Sequence, residues 1–391
     1  MPEVARDRRR TILTVFGTRP EIIKLAPVIR QLDLYPKRFR TVNVSSGQHP
    51  DLLAPFVKLF GVRVDHPLSV MRPGQPLSLL FARVLAEFDP ILTTEKPDLV
   101  LVQGDTTTAA ASALAAFHRQ IPVGHVEAGL RTDDSLNPFP EETNRRLITK
   151  LARWHFAATK RNVRALLREG VPRENVFLTG NPVVDALHLI GTTANRSPAL
   201  EEVLRRTAGL KRIAITTHRR ESFGGVLEGN LCVLRDFIAK HPDTALIFPV
   251  HPNPMVREMA SAILKDVSRV HLIDPLGYPD FIGLLSEAWL IVSDSGGVQE
   301  EAPSLGKPLL VLRETTERPE AVEAGVARMA PTPQELADLL DEMYAGRIDS
   351  THQEKWNPFG NGDSGQRIVR AIRRIFNTRK LVPAELVSEL S

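Results

Sequence analysis

Short apolar runs of strand length alternate along the chain with longer segments in which apolar residues recur at helical spacing. This alternation is typical of a parallel sheet whose strands are joined by crossover helices. In the first half of the chain it predicts helices that include 106–118 and 159–169, and strands at residues 11–16, 40–45, 98–102, 122–126, 155–158 and 175–178. The fold class is therefore predicted to be α/β.

A polar stretch at residues 191–198 interrupts the pattern and predicts a linker between two domains. The alternation then restarts, with strands predicted at residues 211–215, 245–250, 270–273, 290–293 and 308–312. We expect a doubly wound N-terminal domain over residues 1–190 and a second one over 199–365. We expect the C-terminal helical segment 366–391 to pack against one of these two domains, preferably the N-terminal one. Ligands of such folds bind at the carboxyl ends of the strands.

Composition narrows the class of protein further. The 391 residues are 42% hydrophobic and 25% charged, which is typical of a globular protein with sizeable cores. The 50 basic and 46 acidic residues nearly balance, which argues against a dedicated nucleic-acid binder. The single cysteine, Cys232, excludes an internal disulfide, and no apolar run reaches the roughly 18 residues of a membrane span. We therefore expect a cytoplasmic protein without a membrane partner.

The turn after the first predicted strand has features of an anion site. Gly17 permits a tight turn, and Pro20 suits the start of the helix that follows. The free amides of that helix start would attract an anion, which Arg19 and Lys24 would neutralise. An ordinary strand-to-helix turn with a solvated arginine explains the same residues equally well.

Three acidic residues are predicted near strand ends in the first half. Asp105 and Glu127 follow two strands in turn, and Glu141 falls in the first turn of a helix introduced by prolines. Asp105 alone is explained by helix capping, and acidic first-turn residues commonly complement the helix dipole. Because all three fall at one edge of the predicted sheet, their convergence favours acid/base chemistry.

The second half offers contacts for an anion and a nucleotide. Residues 215–222 form a polar, basic run that includes His218 and favours an anion-binding edge. His251 directly follows the strand at 245–250. A histidine that binds the ligand and one with a purely structural role are equally good interpretations.

A glycine-rich segment follows the strand at 290–293 and leads into a helix. Ser295, Gly296 and Gly297 lie where backbone amides could approach a phosphate closely. Glu301 is about one helical turn further along and could accept hydrogen bonds from ribose hydroxyls. The alternative is a plain glycine-rich turn.

Residues 360–365 match the G-x-G-x-x-G spacing of a dinucleotide site, but no predicted strand precedes them. We interpret this segment as a loop. No other dinucleotide fingerprint and no metal-ligand spacing occurs in the sequence, so neither NAD nor a metal is predicted as a cofactor.

Taken together, six segments resemble the non-hydrolysing UDP-N-acetylglucosamine 2-epimerase family. They are GTRPE at 17–21, GDTTT at 104–108, HVEAGLR at 125–131, PEE at 140–142, HRRESFG at 218–224 and DSGGVQEEA at 294–302. The resemblance covers nearly the whole chain in the expected order. It implies the GT-B fold, in which two Rossmann-like domains face each other across a deep cleft, and a homodimer. The implied reaction interconverts UDP-GlcNAc and UDP-ManNAc without NAD or metal, in the service of surface polysaccharide synthesis.

The resemblance also implies roles for the candidate residues. Asp105, Glu127 and Glu141 would be the carboxylates of the sugar site, with His218 beside them, and which carboxylate is acid and which is base stays open. UDP would be eliminated from carbon 1 and added back through 2-acetamidoglucal. The groups that would hold the departing diphosphate and the rest of the nucleotide are Arg19, Lys24, His218, His251, Phe281, Ser295, Gly296, Gly297 and Glu301.

Some members of the family bind a second substrate molecule as an activator, next to a Gln-His-x-Gln motif. Here that motif ends in Asp51 instead of glutamine, and Gly74 stands where an arginine precedes the later Gln75. Activation by substrate is left open. A GT-B glycosyltransferase, a hydrolysing epimerase and a catalytically silent nucleotide-sugar sensor are the rival functions.

Overall fold

A computed structural model describes residues 9–132, 134–191, 196–217, 225–347 and 357–377. The contacts within the chain divide these residues into two compact units. Unit 1 contains 9–129, 134–182 and 363–377, and unit 2 contains the other described residues between 130 and 362. The candidate residue His218 lies outside the described residues.

Unit 1 is built on one parallel sheet. Its described strands are β1 (Arg10–Phe16), β2 (Phe39–Ser45), β3 (His66–Pro67), β4 (Leu99–Gln103), β5 (Val123–Val126), β6 (Trp154–Ala157) and β7 (Val176–Leu178). They are ordered β3-β2-β1-β4-β5-β6-β7. The order reverses between β1 and β4, the position at which doubly wound sheets bind ligands.

Helices connect these strands in unit 1. They are α1 (Arg19–Asp33), α2 (Pro50–Phe60), α3 (Leu77–Glu95), α4 (Thr107–His118), α5 (Glu141–Leu151) and α6 (Lys160–Arg168), followed by a short 3₁₀ helix at Arg173–Asn175. Strand β1 has buried residues on both faces, as a strand covered by helices on both sides must have. Its core continues into apolar residues of α3 and α4, notably Phe88, Ile91 and Ala113.

Unit 2 repeats this architecture. After helices α7 (Pro182–Ile190) and α8 (Pro198–Arg206), its strands are β8 (Lys211–Thr216), β9 (Thr244–Pro249), β10 (Val270–Ile273), β11 (Leu290–Ser293), β12 (Leu309–Val311) and β13 (Ala327–Met329). The parallel sheet is ordered β10-β9-β8-β11-β12-β13. The remaining helices are α9 (Gly225–Lys240), α10 (Pro254–Leu264), α11 (Tyr278–Ser286), α12 (Gly296–Leu305), α13 (Pro319–Glu323) and α14 (Pro333–Tyr344).

The last described helix, α15 (Ser364–Asn377), packs against α1 in unit 1. The Arg10 guanidinium lies 5.3 Å from the centre of the Phe376 ring, and that of Arg373 lies 4.7 Å from the Tyr35 ring. Buried apolar residues of α15, among them Ile368 and Ile372, complete the contact.

All eleven predicted strands occur, with ends within one residue of the prediction. Two further strands, β3 and β13, were not predicted. Neither residue of β3 is buried and only one of the three in β13 is, so each contributes little to the apolar pattern. The domain limits at 190 and 199 stay a prediction.

Candidate active site

The carboxyl ends of β4 and β5 lie side by side in unit 1. Gln103 pairs with Val126 across the two strands, and the Gly104 amide donates to the Val126 carbonyl over 3.1 Å. Glu127, the first residue after β5, has a φ of 65°. That left-handed conformation costs a residue with a Cβ atom about 1–2 kcal/mol. Surrounding contacts must hold the residue in place, as they often do at functional sites.

Side chains from three segments contact the Glu127 carboxylate. Lys24 of α1 forms an ion pair with Oε1, and Asn181 Nδ2 donates to the same oxygen over 2.9 Å. Gln103 Nε2 donates to Oε2. Only 6% of the Lys24 side chain and 4% of the Glu127 side chain are exposed. Glu127 is therefore a buried carboxylate surrounded by hydrogen-bond donors.

Asp105 is bonded to helix α5, whose first residue is Glu141. Arg145 Nε donates to Asp105 Oδ2 over 2.7 Å, and Arg145 Nη1 donates to Glu142 Oε2 over 2.9 Å. Asn144 Nδ2 donates to the main-chain oxygen of Asp105 over 2.8 Å. The structure thus brings the start of α5, with Glu141, to the sheet edge that carries Asp105 and Glu127.

The two adjacent glutamates at the start of α5 have different surroundings. Glu142 has no exposed side-chain surface and forms ion pairs with Arg145 and Arg146. Glu141 is half-buried. Of this pair, Glu141 is therefore the residue with surface available to a ligand, whereas Glu142 holds the helix in place.

Glu21 joins the turn after β1 to the start of α4. Its Oε2 accepts hydrogen bonds from the Gly17 and Thr18 amides over 2.8 and 2.7 Å, and its Oε1 accepts one from Thr106 Oγ1 over 2.6 Å. Burial raises the pKa of Glu21 above its usual value, against the opposing effect of these donors. Thr106 in turn caps α4 by accepting a hydrogen bond from the Ala109 amide.

The turn itself needs glycine for packing reasons. A Cβ atom at Gly17 would lie 2.1 Å from Ser46 Oγ and 2.9 Å from Thr108 Oγ1. Arg19 follows as the exposed first residue of α1. Burial and the nearby Arg19 charge lower the pKa of His49. Arg19 therefore retains exposed surface for an anion, whereas Lys24 is already paired with Glu127.

In unit 2 the start of α12 lies directly after β11. Ser295 caps the helix by accepting a hydrogen bond from the Val298 amide. A Cβ atom at Gly296 would come within 2.7 Å of Arg318 Nη1, and one at Gly297 would lie 3.7 Å from its nearest neighbour, Ser295 Oγ. The amides of this helix start favour an anion, and the Arg318 guanidinium packed against Gly296 is itself paired with Glu300 and Glu317.

The other nucleotide candidates lie on α10 to α12 or next to them. Tyr278 Oη donates to Glu301 Oε1 over 2.7 Å, and burial together with the Glu301 charge raises the pKa of Tyr278 well above its usual value. Phe281 is half-buried on the same helix as Tyr278. His251 is half-buried, and its Nδ1 accepts a hydrogen bond from the Asn253 amide over 3.2 Å, a local contact before α10.

Sequence reasoning missed six residues whose side chains contact the candidates: Gln103, Asn144, Arg145, Asn181, Tyr278 and Arg318. Gln103 had a readable signal, since it ends a buried strand directly before Gly104. The others contact candidates that are distant from them in the sequence. An arginine, asparagine or tyrosine on a helix or loop has no local sequence pattern that reveals such a partner.

Among the described residues, no group of three or more histidine, cysteine, aspartate and glutamate side chains has the arrangement of a metal site. No helix in the described part of the chain is both long enough and apolar enough to cross a membrane.

Several known proteins that are similar to this chain are named UDP-N-acetylglucosamine 2-epimerase. A family model of UDP-N-acetylglucosamine 2-epimerase matches residues 34–373. The UDP-N-acetylglucosamine 2-epimerase of Yersinia pestis is 45% identical over 371 residues, which cover 93% of this chain and 98% of that protein. A crystal structure of UDP-GlcNAc 2-epimerase from Neisseria meningitidis bound to UDP-GlcNAc has a TM-score of 0.86 and 39% identity, covering 93% of this chain and all of that one.

A more distant structure agrees. The enzyme from Methanocaldococcus jannaschii in complex with UDP-GlcNAc and UDP has a TM-score of 0.77 and 33% identity, covering 93% of this chain and 99% of that one. These matches confirm the predicted fold class: an α/β enzyme with the GT-B fold. Within that class, the chain belongs to the UDP-N-acetylglucosamine 2-epimerase family. The resemblance recognised from the six sequence segments is therefore confirmed, and the individual site residues stay predictions.

Proposed function

We propose that this chain interconverts UDP-GlcNAc and UDP-ManNAc by inverting carbon 2 of the sugar, without hydrolysing the nucleotide sugar. The observation that carries the proposal is the acidic edge of unit 1, where Glu127 is held by Lys24 and Asp105 is bonded to the helix that begins with Glu141. Family membership and the relatives' named ligands, UDP-GlcNAc and UDP, support the choice of substrate.

Elimination is the chemistry that suits such a site. The hydrogen on carbon 2 has no adjacent carbonyl, so a base alone cannot remove it. In the proposed step a carboxylate takes this proton, and the C–H electron pair forms the double bond between carbons 1 and 2. UDP leaves carbon 1 with the electron pair of the C–O bond, giving 2-acetamidoglucal. UDP then adds back to carbon 1 as a carboxyl group delivers a proton to the other face of carbon 2.

Within this proposal Asp105, Glu127 and Glu141 perform the proton transfers, with His218 beside them. Arg19, Lys24 and His218 hold the departing diphosphate, so Lys24 links the carboxylate of Glu127 to the leaving group. Positive charge placed where the phosphate charge develops stabilises the transition state. Arg19 suits this role because it is exposed at the first position of α1.

Unit 2 would hold the nucleotide. We assign the diphosphate to the helix start at Ser295, Gly296 and Gly297, and the ribose hydroxyls to Glu301. Phe281 and His251 would contribute to the uridine subsite. The support is local: a helix start directly after β11, the open space beside Gly297, and a buried glutamate bonded to a tyrosine hydroxyl.

Product analysis separates this function from its enzyme rivals. The protein incubated with UDP-GlcNAc should give UDP-ManNAc by NMR, with the total nucleotide sugar conserved. Free ManNAc together with one UDP per turnover would identify a hydrolysing epimerase. Conversion that depends on an added sugar acceptor would identify a glycosyltransferase, and binding without any product would identify a sensor.

Asp105→Asn tests the acidic edge itself. We expect kcat to fall about 10²–10⁴-fold, the usual contribution of acid/base catalysis, while the Kd for UDP changes little. Asp89→Asn is the matched control, because Asp89 is an exposed acid of the same unit that pairs with surface Arg119. Full activity of Asp105→Asn would remove Asp105 from the catalytic group.

The elimination step has its own test. The substrate for this test is UDP-GlcNAc with ¹⁸O at the oxygen that bridges carbon 1 and the β-phosphate. During turnover the label should spread to the other β-phosphate oxygens, because the β-phosphate group of released UDP rotates before UDP adds back. Epimerisation that leaves the label in the bridging position would contradict cleavage of the C–O bond.

The remaining parts of the proposal rest on the family resemblance. They are a homodimeric state, a cytoplasmic location and the supply of ManNAc units for surface polysaccharide. Light scattering on the purified protein tests the first: a mass of twice 43.4 kDa supports it, and a monomer mass contradicts it.

A further inference from the structure

Glu127 differs from the other two candidate acids in how it is held. Its donors come from three separate segments: Lys24 on α1, Gln103 at the end of β4, and Asn181 between β7 and α7. Gln103 and Asn181 are themselves only 2% and 1% exposed, so both amides are fixed within the core of unit 1. Two buried amides on one buried carboxylate are an arrangement that packing alone does not require.

These three neighbours favour one charge state of Glu127. An ammonium group and amide NH₂ groups can only donate hydrogen bonds, and a carboxylate can only accept them. Charge-assisted hydrogen bonds of this kind favour the ionised form of the acid, whereas burial disfavours it. A protonated Glu127 would place its O–H against donors.

The other ionisable groups around this edge bond mainly to other partners. Asp105 is held by Arg145, and Glu21 accepts hydrogen bonds from Thr106 and the turn after β1. His125, on the same strand end, uses Nε2 on the Gly104 carbonyl over 2.7 Å. Lys24 is a charged group that bonds directly to Glu127.

We propose that Asn181 and Gln103 are positioning residues that, with Lys24, hold Glu127 ionised and correctly oriented in the free enzyme. It follows that Glu127 meets the substrate as a proton acceptor, and that the proton delivered to the opposite face comes from Asp105 or Glu141. This inference rests on the proposed epimerase function and narrows its open acid/base assignment.

The left-handed backbone of Glu127 fits this role. Its φ of 65° turns the chain directly after β5, and the hydrogen bonds to both carboxylate oxygens fix the side chain in that turn. Without the amide donors, Oε1 would keep Lys24 but lose Asn181, and Oε2 would lose the hydrogen bond from Gln103.

The test compares pH profiles of kcat/KM and kcat for the wild type, Asn181→Ala, Asn181→Asp and Gln103→Ala. Each lost donor to a charged acceptor should move the acidic limb of kcat/KM upward by about one to two pH units. Asn181→Asp keeps the shape of the side chain but adds a second acid, so it should move the limb at least as far. We expect kcat at neutral pH to fall about tenfold or more, with KM and the Kd for UDP changed less than threefold.

Asn175→Ala is the matched control. Asn175 is half-buried in the 3₁₀ helix six residues before Asn181, so its replacement should leave the pH profile in place. If Asn181→Ala does not fold, the isosteric Asn181→Asp and Gln103→Ala carry the comparison. Circular dichroism and UDP binding report folding independently of activity.

The outcomes separate this inference from the proposed function. A wild-type protein that makes no UDP-ManNAc refutes the function. An active wild type whose Asn181 and Gln103 variants keep its pH profile and kcat refutes the positioning role alone. Parallel losses of kcat and UDP affinity with an unmoved acidic limb would show a merely structural role, and would also overturn the inference.

Discussion

Replacing each of the two glycines at the start of α12 by alanine separates packing from ligand binding. At Gly296 a methyl group would stand 2.7 Å from Arg318 Nη1 and 3.0 Å from Cζ. Arg318 cannot move away freely, because its Nε donates to Glu300 Oε1 and its Nη1 faces Glu317. At Gly297 the nearest atom would be 3.7 Å away, which is ordinary van der Waals contact.

The magnitudes follow from these distances. Forcing a methyl group into a well-packed site costs about 1–3 kcal/mol, and the shifted Arg318 also weakens its pairing with Glu300, which is 1% exposed. Gly297→Ala fits the space and gains helix propensity, so it should leave the free energy of unfolding unchanged or raise it by up to about 1 kcal/mol. For a unit of this size each kcal/mol corresponds to about 2–4 °C in Tm.

Thermal unfolding and calorimetric UDP binding measure the two effects. Gly296→Ala should lower Tm and UDP affinity together. Gly297→Ala should keep Tm but weaken UDP binding about tenfold, about 1.4 kcal/mol, if its amide lies against the diphosphate as proposed. A Gly296→Ala protein with wild-type Tm would refute the packing argument, and wild-type UDP affinity in Gly297→Ala would refute the phosphate assignment.

Three further changes test single contacts. Arg145→Met removes the guanidinium that Asp105 and Glu142 share. The free energy of unfolding in urea should fall by about 2–4 kcal/mol, and not more because Asp105 is partly solvated. A fall below about 0.5 kcal/mol would contradict this. Glu317→Gln should lower Tm at pH 7 and should lower it less near pH 3. Its arginine partners hold the pKa of Glu317 far below its usual 4.5 despite burial, so the stabilisation is complete above pH 4.5 and shrinks gradually as the pH falls towards the lowered pKa. An equal Tm difference at both pH values would argue against it. Tyr278→Phe should weaken UDP binding about five- to tenfold because it removes the hydroxyl that donates to Glu301, and unchanged calorimetric affinity would exclude that role.

The sequence pattern predicted the sheets because their strands are covered on both faces. Residues 12–16 and 99–102 are all buried, so burial leaves a continuous apolar signal. Strands β3 and β13 bury none and one of their residues, so they leave little of this signal.

The candidate acids were predicted because parallel strands end at a common edge. Asp105 and Glu127 follow adjacent strands, and the sequence places each directly after an apolar run. Their partners were not predictable: Arg145 lies 40 residues from Asp105, and Asn181 lies 54 residues from Glu127. Such pairings are set by how helices and strands pack, which periodicity along the chain does not record.

The most direct test of the central claim is turnover in heavy water. If acidic side chains of this chain break the C–H bond at carbon 2, both UDP-GlcNAc and UDP-ManNAc recovered after incubation carry deuterium at that carbon. Epimerised sugar that retains its original hydrogen at carbon 2, or recovered UDP-GlcNAc with no label and no UDP-ManNAc, would contradict the account.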